Sequence, residues 1–334
     1  MKEIVSRHTC RSCGERLKDS FVDLGMSPLC ESYITRDQLD HMEPFYPLHA
    51  LVCHHCLLVQ LGEYVAPEEI FSEYAYFSSY SDSWVDHART YTRAMTKRMG
   101  LGPHSQVVEV ASNDGYLLQH FVDQRIPVLG IEPAANVAEA ATRRGVRTIV
   151  RFFGRELAAE LRADGIQADL LVGNNVLPHV PDLNDFVSGL ATLLAPHGLL
   201  TLEFPHLLRL IEGNQFDTIY HEHFSYFSLH AVERVLGAHG LALIDVEELP
   251  THGGSLRVYL ERSDGTVSRP TPRVAAVRQS EEKAGLAHLE TYGSFARRVE
   301  QTKWRLVEFL IAARRAGRTV AGYGAPGKGN TLLN

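Results

Sequence analysis

Between residues 105 and 206, short apolar runs alternate with helical stretches, and this alternation restricts the fold more than any other feature of the chain. QVVEVA, VLGIE, RTIV, ADLLVG and LLTLEF are rich in branched aliphatic residues and too short for ordinary helices. Between them, AANVAEAATRRG and LNDFVSGLATLLAP carry apolar residues at helical spacing. Strands that run the same way need a long crossover, so the alternation predicts a parallel sheet with right-handed connections. Downstream, SLHAVERVLGAHG reads as a helix capped by Ser228, and LALIDVEEL and GSLRVYLERS as an antiparallel pair extending the same sheet. The predicted class is α/β.

Open α/β sheets bind ligands at the carboxyl ends of their strands. The loop after the first strand, VEVASNDGYLL, carries Glu109, Asp114 and Gly115, the glycine letting backbone approach a ligand closely. The second strand ends in GIEP, where Glu132 can accept both hydroxyls of a ribose. The fourth ends in GNNVLPHV, presenting Asn174, Asn175 and His179.

Four of the five cysteines form two CxxC turns: Cys10 and Cys13 in CRSC, Cys53 and Cys56 in CHHC. Two such turns close a tetrahedral four-sulfur zinc site, which leaves no open position and is therefore structural; a redox pair or idle thiols are the alternatives. The residues between the turns must be structured, and FVDLG, LHALVC and LVQLG read as their strands. Cys30 stands apart and reads as a small buried hydrophobe, and His54 and His55 fall inside a turn whose ligand set is complete without them. The net charge of −7 opposes a chain whose main task is gripping phosphate backbones. MKEIVSRHTC lacks the apolar stretch of a signal peptide, and no apolar run has membrane-spanning length. A cytoplasmic protein is expected, monomeric and without nucleic-acid or membrane partners.

With VVEVASNDG as first motif and IEP as second, the middle of the chain resembles class I methyltransferases that use S-adenosylmethionine. A dinucleotide-binding fold is the competitor, but the first turn lacks the glycine trio that seats a diphosphate. Adding the cysteine turns, YAYFSSYSDSWVDHA, YHEHFSYFS and THGGSLRVY, the whole chain resembles the C-methyltransferases that methylate a carbon of a nucleotide-linked 4-keto-deoxysugar. The resemblance implies a zinc-binding domain over residues 1–80, a methyltransferase domain over 81–252 and a C-terminal sugar-nucleotide domain over 253–334. It implies S-adenosylmethionine and structural Zn2+ as cofactors. Glu109, Ala111, Asn113, Asp114, Gly115, Glu132, Pro133, Asn174 and Asn175 would contact the S-adenosylmethionine; Ala111 and Ser112 stand where the family commonly has a glycine. His223 would be the general base, with Glu222, Tyr220, His179 and Tyr74 completing a polar ring around the keto group. The methylated carbon would be the one next to the ketone, C3 first among the options, because proton removal there gives an enolate.

Five other histidines, His8, His41, His87, His197 and His239, read as surface or capping residues, since none has a partner visible in the sequence. Trp84 reads equally as interdomain core or as a lid over the cofactor. RVAAVRQSEEKAGLAHLETYG and SFARRVEQTKWRLVEFLIAARRAG read as two charged amphipathic helices. RTVAGYGAPGKGNTLLN then reads as a strand, a glycine-rich turn and a helix start. Its near-P-loop match is weak because Gly329 replaces the magnesium-binding hydroxyl, and its GxGxxG match because the chain ends before an acidic ribose partner. Backbone amides, Gly327 and Lys328 remain able to hold phosphate, and the resemblance implies that this is the diphosphate of a sugar nucleotide. The final strand and turn begin a second α/β unit without further strands, so a truncated or partial chain is expected. A zinc-ribbon RNA methyltransferase and a degenerate binding scaffold are the rival readings.

Overall fold

The computed structural model describes residues 8–66, 76–324 and 327–334. After the first cysteine turn come β1 (Asp19–Ser27), β2 (Tyr46–Val52) and β3 (Val59–Leu61), an antiparallel meander that places the second turn between β2 and β3. Helix α1 (Asp82–Met99) starts where Ser81 Oγ accepts the Trp84 amide, and stops at Gly100, whose φ of 64° suits a residue without a Cβ.

The parallel sheet then forms as the alternation requires. Its units are β4 (Val107–Val110), α2 (Gln119–Val122), β5 (Val128–Ile131), α3 (Ala135–Arg143), β6 (Thr148–Ile149), α4 (Arg155–Ala163), β7 (Ala168–Asn174), α5 (Leu183–Leu193) and β8 (Leu194–Pro205). Helix α6 (Leu207–Glu212) leads into the histidine-rich segment, which supplies the two-residue strand β9 (Ser225–Tyr226). Helix α7 (Leu229–Gly237), β10 (Leu241–Leu249) and β11 (Ser255–Arg262) follow, then α8 (Pro272–Lys283), α9 (Leu289–Arg315) and α10 (Gly327–Leu333).

Two sheets result among the described residues. One has the order β10-β11-β8-β7-β4-β5-β6, parallel from β6 to β8 and antiparallel at its β11 and β10 end. The chain reverses its direction of travel between β4 and β7, so the loops after those strands open a crevice. Every residue of β4 is buried, because a central parallel strand is covered on both faces; Glu109 is carried into the core with its neighbours. The other sheet has the order β1-β2-β3-β9. Thus β9 completes the N-terminal sheet from residues 225–226, and β11, from beyond residue 252, lies in the large sheet between β8 and β10. Both sheets therefore draw strands from across the divisions at 80/81 and 252/253.

The first half of α9 covers the N-terminal sheet, burying Tyr292, Phe295 and Val299; the Phe295 ring stacks on Phe21 with centroids 4.7 Å apart. Such a pair adds about 0.5–1.5 kcal/mol to the burial itself. Two expectations for the C-terminal part need correction. The helix break falls at residues 284–288 rather than after Gly293, because Gly285 takes a φ of 80°, the left-handed geometry that ends helices. Residues 318–324 form no strand, since no other strand lies beside them to supply hydrogen bonds. No helix among the described residues is long and apolar enough to cross a membrane.

Candidate active site and metal centre

The four cysteines of the CxxC turns converge. Their Sγ atoms all lie within 4.8 Å of one another, with Cys10–Cys56 and Cys13–Cys53 both at 3.5 Å. A tetrahedron with metal–sulfur bonds of about 2.3 Å has edges of about 3.8 Å, so the donor set fits zinc and closes around it. His54 and His55 are exposed outside this set.

A cavity of about 1070 Å³ opens at the carboxyl ends of β4, β5 and β7 and extends under the histidine-rich segment. On one wall the loop after β4 folds back sharply: Ala111 and Asn113 hold φ values of 56° and 47°. Left-handed backbone costs a residue with a Cβ about 1–2 kcal/mol, which explains physically why glycine is common at the first of these positions. Gly130 beneath the loop has no such latitude, since a Cβ there would stand 2.5 Å from Ser112 Oγ. Glu132 is held rigidly, its two oxygens accepting the amides of Asn113 (2.9 Å) and Ala134 (3.0 Å). Burial raises its pKa against those amides. Pro133, Asn174 and Asn175 complete this wall, with Asn174 Nδ2 3.4 Å from the Tyr116 hydroxyl. The Asn174 carbonyl oxygen is buried without a hydrogen-bond partner, an unmet acceptor of the kind a bound polar ligand satisfies.

Three residues expected at the cofactor lie behind the loop instead and do not line the cavity: Glu109, Asp114 and Gly115. The Asp114 carboxylate is occupied by the Ser79 hydroxyl and by Arg144 Nη1 at 3.0 Å. Glu109 is fully buried, and that burial pushes its pKa well above the usual range against the nearby Tyr116 hydroxyl. Gly115 has a φ of 78°, with Val146 and Ala141 packed where a side chain would go. They brace the loop from behind.

On the opposite wall, His179 and His223 face each other edge to face with ring centroids 4.7 Å apart. His223 Nδ1 lies 3.1 Å from the Thr218 carbonyl and Nε2 3.1 Å from the Tyr220 hydroxyl. A carbonyl can only accept, so Nδ1 carries the proton and Nε2 presents its lone pair to the tyrosine. Burial, reinforced by His179, lowers the His223 pKa well below the ordinary histidine value; burial lowers that of His179 to about 4. Both imidazoles are neutral at neutral pH. Glu222 is buried beside them and accepts the Cys30 thiol at 3.3 Å; burial raises its pKa to about 7. His221 points away, bonding the Pro47 carbonyl at 3.1 Å. Gly327 and Lys328 close the cavity at its far side. Tyr74 lies outside the described residues.

The sequence assigns no site role to two contributors, Cys30 and His252. Cys30 is buried as expected but holds a polar partner, Glu222. His252, at a φ of 51°, lines the cavity and lies 3.1 Å from Asn175 Nδ2; THGG before a strand was the only available hint. Trp84 borders the cavity, stacked on His87 and Tyr116 at 4.9 and 6.0 Å. His87 is no surface residue: its Nε2 lies 3.0 Å from buried Glu203, which also pairs with Arg257.

Comparison with known proteins accounts for this arrangement. Residues 10–71 match a putative zinc binding domain, 84–246 a methyltransferase domain and 250–334 a C-methyltransferase C-terminal domain. C-methyltransferase NovU of Streptomyces niveus is 36% identical over 324 residues, covering 97% of this chain and 77% of NovU. The chain belongs to the S-adenosylmethionine-dependent C-methyltransferase family. As a member it is an enzyme with S-adenosylmethionine as cofactor and a zinc-binding N-terminal domain. Among solved structures, magnesium protoporphyrin IX methyltransferase from Synechocystis PCC 6803 with bound SAM is 18% identical, covering 55% of this chain and 82% of its own, at a TM-score of 0.42. The PH0226 protein of Pyrococcus horikoshii OT3 is 14% identical, covering 58% and 97%, at a TM-score of 0.45.

Proposed function

We propose that this C-methyltransferase alkylates the carbon next to the ketone, C3 in the leading assignment, of a nucleotide-linked 4-keto-deoxysugar. The observation that carries the reading is a single cavity lined on one wall by the Ala111–Asn113 loop, Glu132 and Asn174, and on the other by the His179–His223 pair with Tyr220 and Glu222. S-adenosylmethionine, held by the first wall, supplies an electrophilic methyl group. The protein must supply the nucleophile's activation. A carbon beside a ketone becomes nucleophilic when its proton leaves and the electron pair is delocalised onto the ketone oxygen.

His223 Nε2 is the base. The Thr218 carbonyl fixes its tautomer, so the lone pair has one direction. Before substrate arrives, the Tyr220 hydroxyl covers that lone pair. Turning the hydroxyl toward the keto oxygen bares the base and gives the developing enolate a hydrogen-bond donor in one movement. Glu222, poised near neutrality, can take up the charge that a protonated His223 brings into a dry site. Lys328 and the Gly327 backbone face the same cavity and suit the diphosphate of a sugar nucleotide.

The test is deuterium exchange of the acidic C–H of a nucleotide 4-keto-deoxysugar, run beside methyl transfer. His223→Asn should slow both by roughly a hundredfold to ten-thousandfold, the usual range for a lost general base. His221→Asn should be far milder, and cofactor affinity should survive in both. Wild-type exchange in His223→Asn with methylation stopped would make His223 a positioning group.

A further inference from the structure

Arg11 sits inside the first CxxC turn, yet its side chain reaches past the metal centre. Nη1 donates to the Pro181 carbonyl at 2.7 Å and Nη2 to the Leu61 carbonyl, while the guanidinium lies 5.3 Å from the centroid of the Phe224 ring. Pro181 ends the turn that carries His179, and Phe224 directly follows His223. The Phe224 backbone already ties these segments together, donating to the Pro178 carbonyl at 2.7 Å and accepting the Leu61 amide at 3.0 Å. The base of the arginine is anchored in turn. Its amide donates to Gln60 Oε1 at 2.9 Å, and Asn184 Nδ2 holds the Arg11 and Ser12 carbonyls at 3.2 and 2.9 Å. Gln60 stands opposite Ser225 in the β3–β9 pairing and donates to Cys10 Sγ at 3.2 Å.

Burying a guanidinium is expensive unless its geometry is used. An arginine guanidinium stays protonated at neutral pH, so the buried group is a cation. A CxxC turn needs no cation to fold; two carbonyls on separate segments need a planar fork to be joined.

We propose that Arg11 is a positioning residue for the histidine pair: it clamps the carbonyl just beyond His179 to the strand end flanking His223, and so sets the apposition of the two rings. That these rings move a proton rests on the function proposed above; the clamp itself is testable without substrate.

The experiment uses the zinc-loaded full chain labelled with 15N at histidine, as wild type, Arg11→Lys and Arg11→Met. Imidazole nitrogen resonances report the tautomer, with His206 and His87 as internal controls. Both variants should keep one zinc per chain and bind S-adenosylmethionine within about twofold of wild type. The His179 and His223 signals should shift, and the single Nδ1-protonated form of His223 should become a mixture, while the controls stay put. Lysine, able to reach one carbonyl at a time, should not restore the wild-type signals. Substrate deuterium exchange should fall about tenfold to a hundredfold in kcat, the usual result of a displacement near 1 Å. Unchanged His179 and His223 signals in folded, zinc-bound Arg11→Lys would overturn the proposal. So would zinc loss in both variants, which would make Arg11 a support for the metal turn alone. If the signals move as expected but wild type exchanges no keto-sugar proton, the clamp stands and the substrate reading falls.

Discussion

Glu222 and His179, which line the same cavity, respond to pH in opposite senses. Glu222 titrates higher in the folded protein, at about 7, than its ordinary value near 4.5. Its contribution to stability is therefore complete below about pH 4.5 and disappears as the pH rises through 7. His179 titrates lower, at about 4 against 6.5, so its contribution is complete above about pH 6.5 and disappears as the pH falls through 4. Glu222→Gln should accordingly raise the melting temperature relative to wild type at pH 8 and change it little at pH 4; a uniform offset across the range would refute the assignment. Ala111 gives a second test. Glycine there removes about 1–2 kcal/mol of left-handed strain and adds back about 0.5–1 kcal/mol of chain entropy. Ala111→Gly should gain up to about 1.5 kcal/mol in urea denaturation, whereas the β-branched Ala111→Val should be less stable than wild type. Sequence was informative for Glu132, Asn174 and the YHEHF segment, because strand ends and clustered polar residues are local signals. It was silent on Arg11, Cys30 and His252, whose partners lie 49 to 192 residues away.

At the level of elements, the strands of the large sheet lie where alternation put them, because buried parallel strands must be short, apolar and separated by crossovers. The departures came from rules that operate beyond a single segment. Glycine inside a charged helical stretch looked tolerable until the chain needed a left-handed corner at Gly285. An apolar run at 318–324 could not become a strand without a neighbour. The two-residue β9 was invisible for the complementary reason: it exists because β3 offers an edge. This pairing makes the metal centre's mechanical reach specific. Stripping zinc, or the substitution Cys53→Ser, should release hydrogen-exchange protection at residues 46–61 and also at 225–226, since structural zinc contributes folding free energy to modules of this size. Protection in β4, β7 and β8 should persist. Retained protection at 225–226 in the metal-free protein would show that β9 is held by the large domain alone.

Across the whole molecule, one buried charge cluster joins parts that no single motif spans. Glu203 on β8 meets Arg257 on β11 and His87 on α1, and accepts the Thr251 hydroxyl at 2.9 Å. Hydrogen bonds with His87 and Thr251 and the charge of Arg257 keep its carboxyl below the usual range despite burial. Removing one partner strands the other, so Arg257→Met should cost about 3–5 kcal/mol. The double substitution Glu203→Gln, Arg257→Met should recover part of that loss, and a double-mutant cycle in denaturant would measure the coupling. A second whole-chain property follows from the N-terminal sheet taking its last strand from β9. On a ribosome, β3 emerges long before β9, with roughly 160 residues of synthesis between them. At about 5–20 residues per second that interval lasts roughly ten to thirty seconds. Throughout it the nascent chain presents an open β-edge and thiols that have already been made, so its yield in the cell should respond to metal supply and chaperone cover during translation.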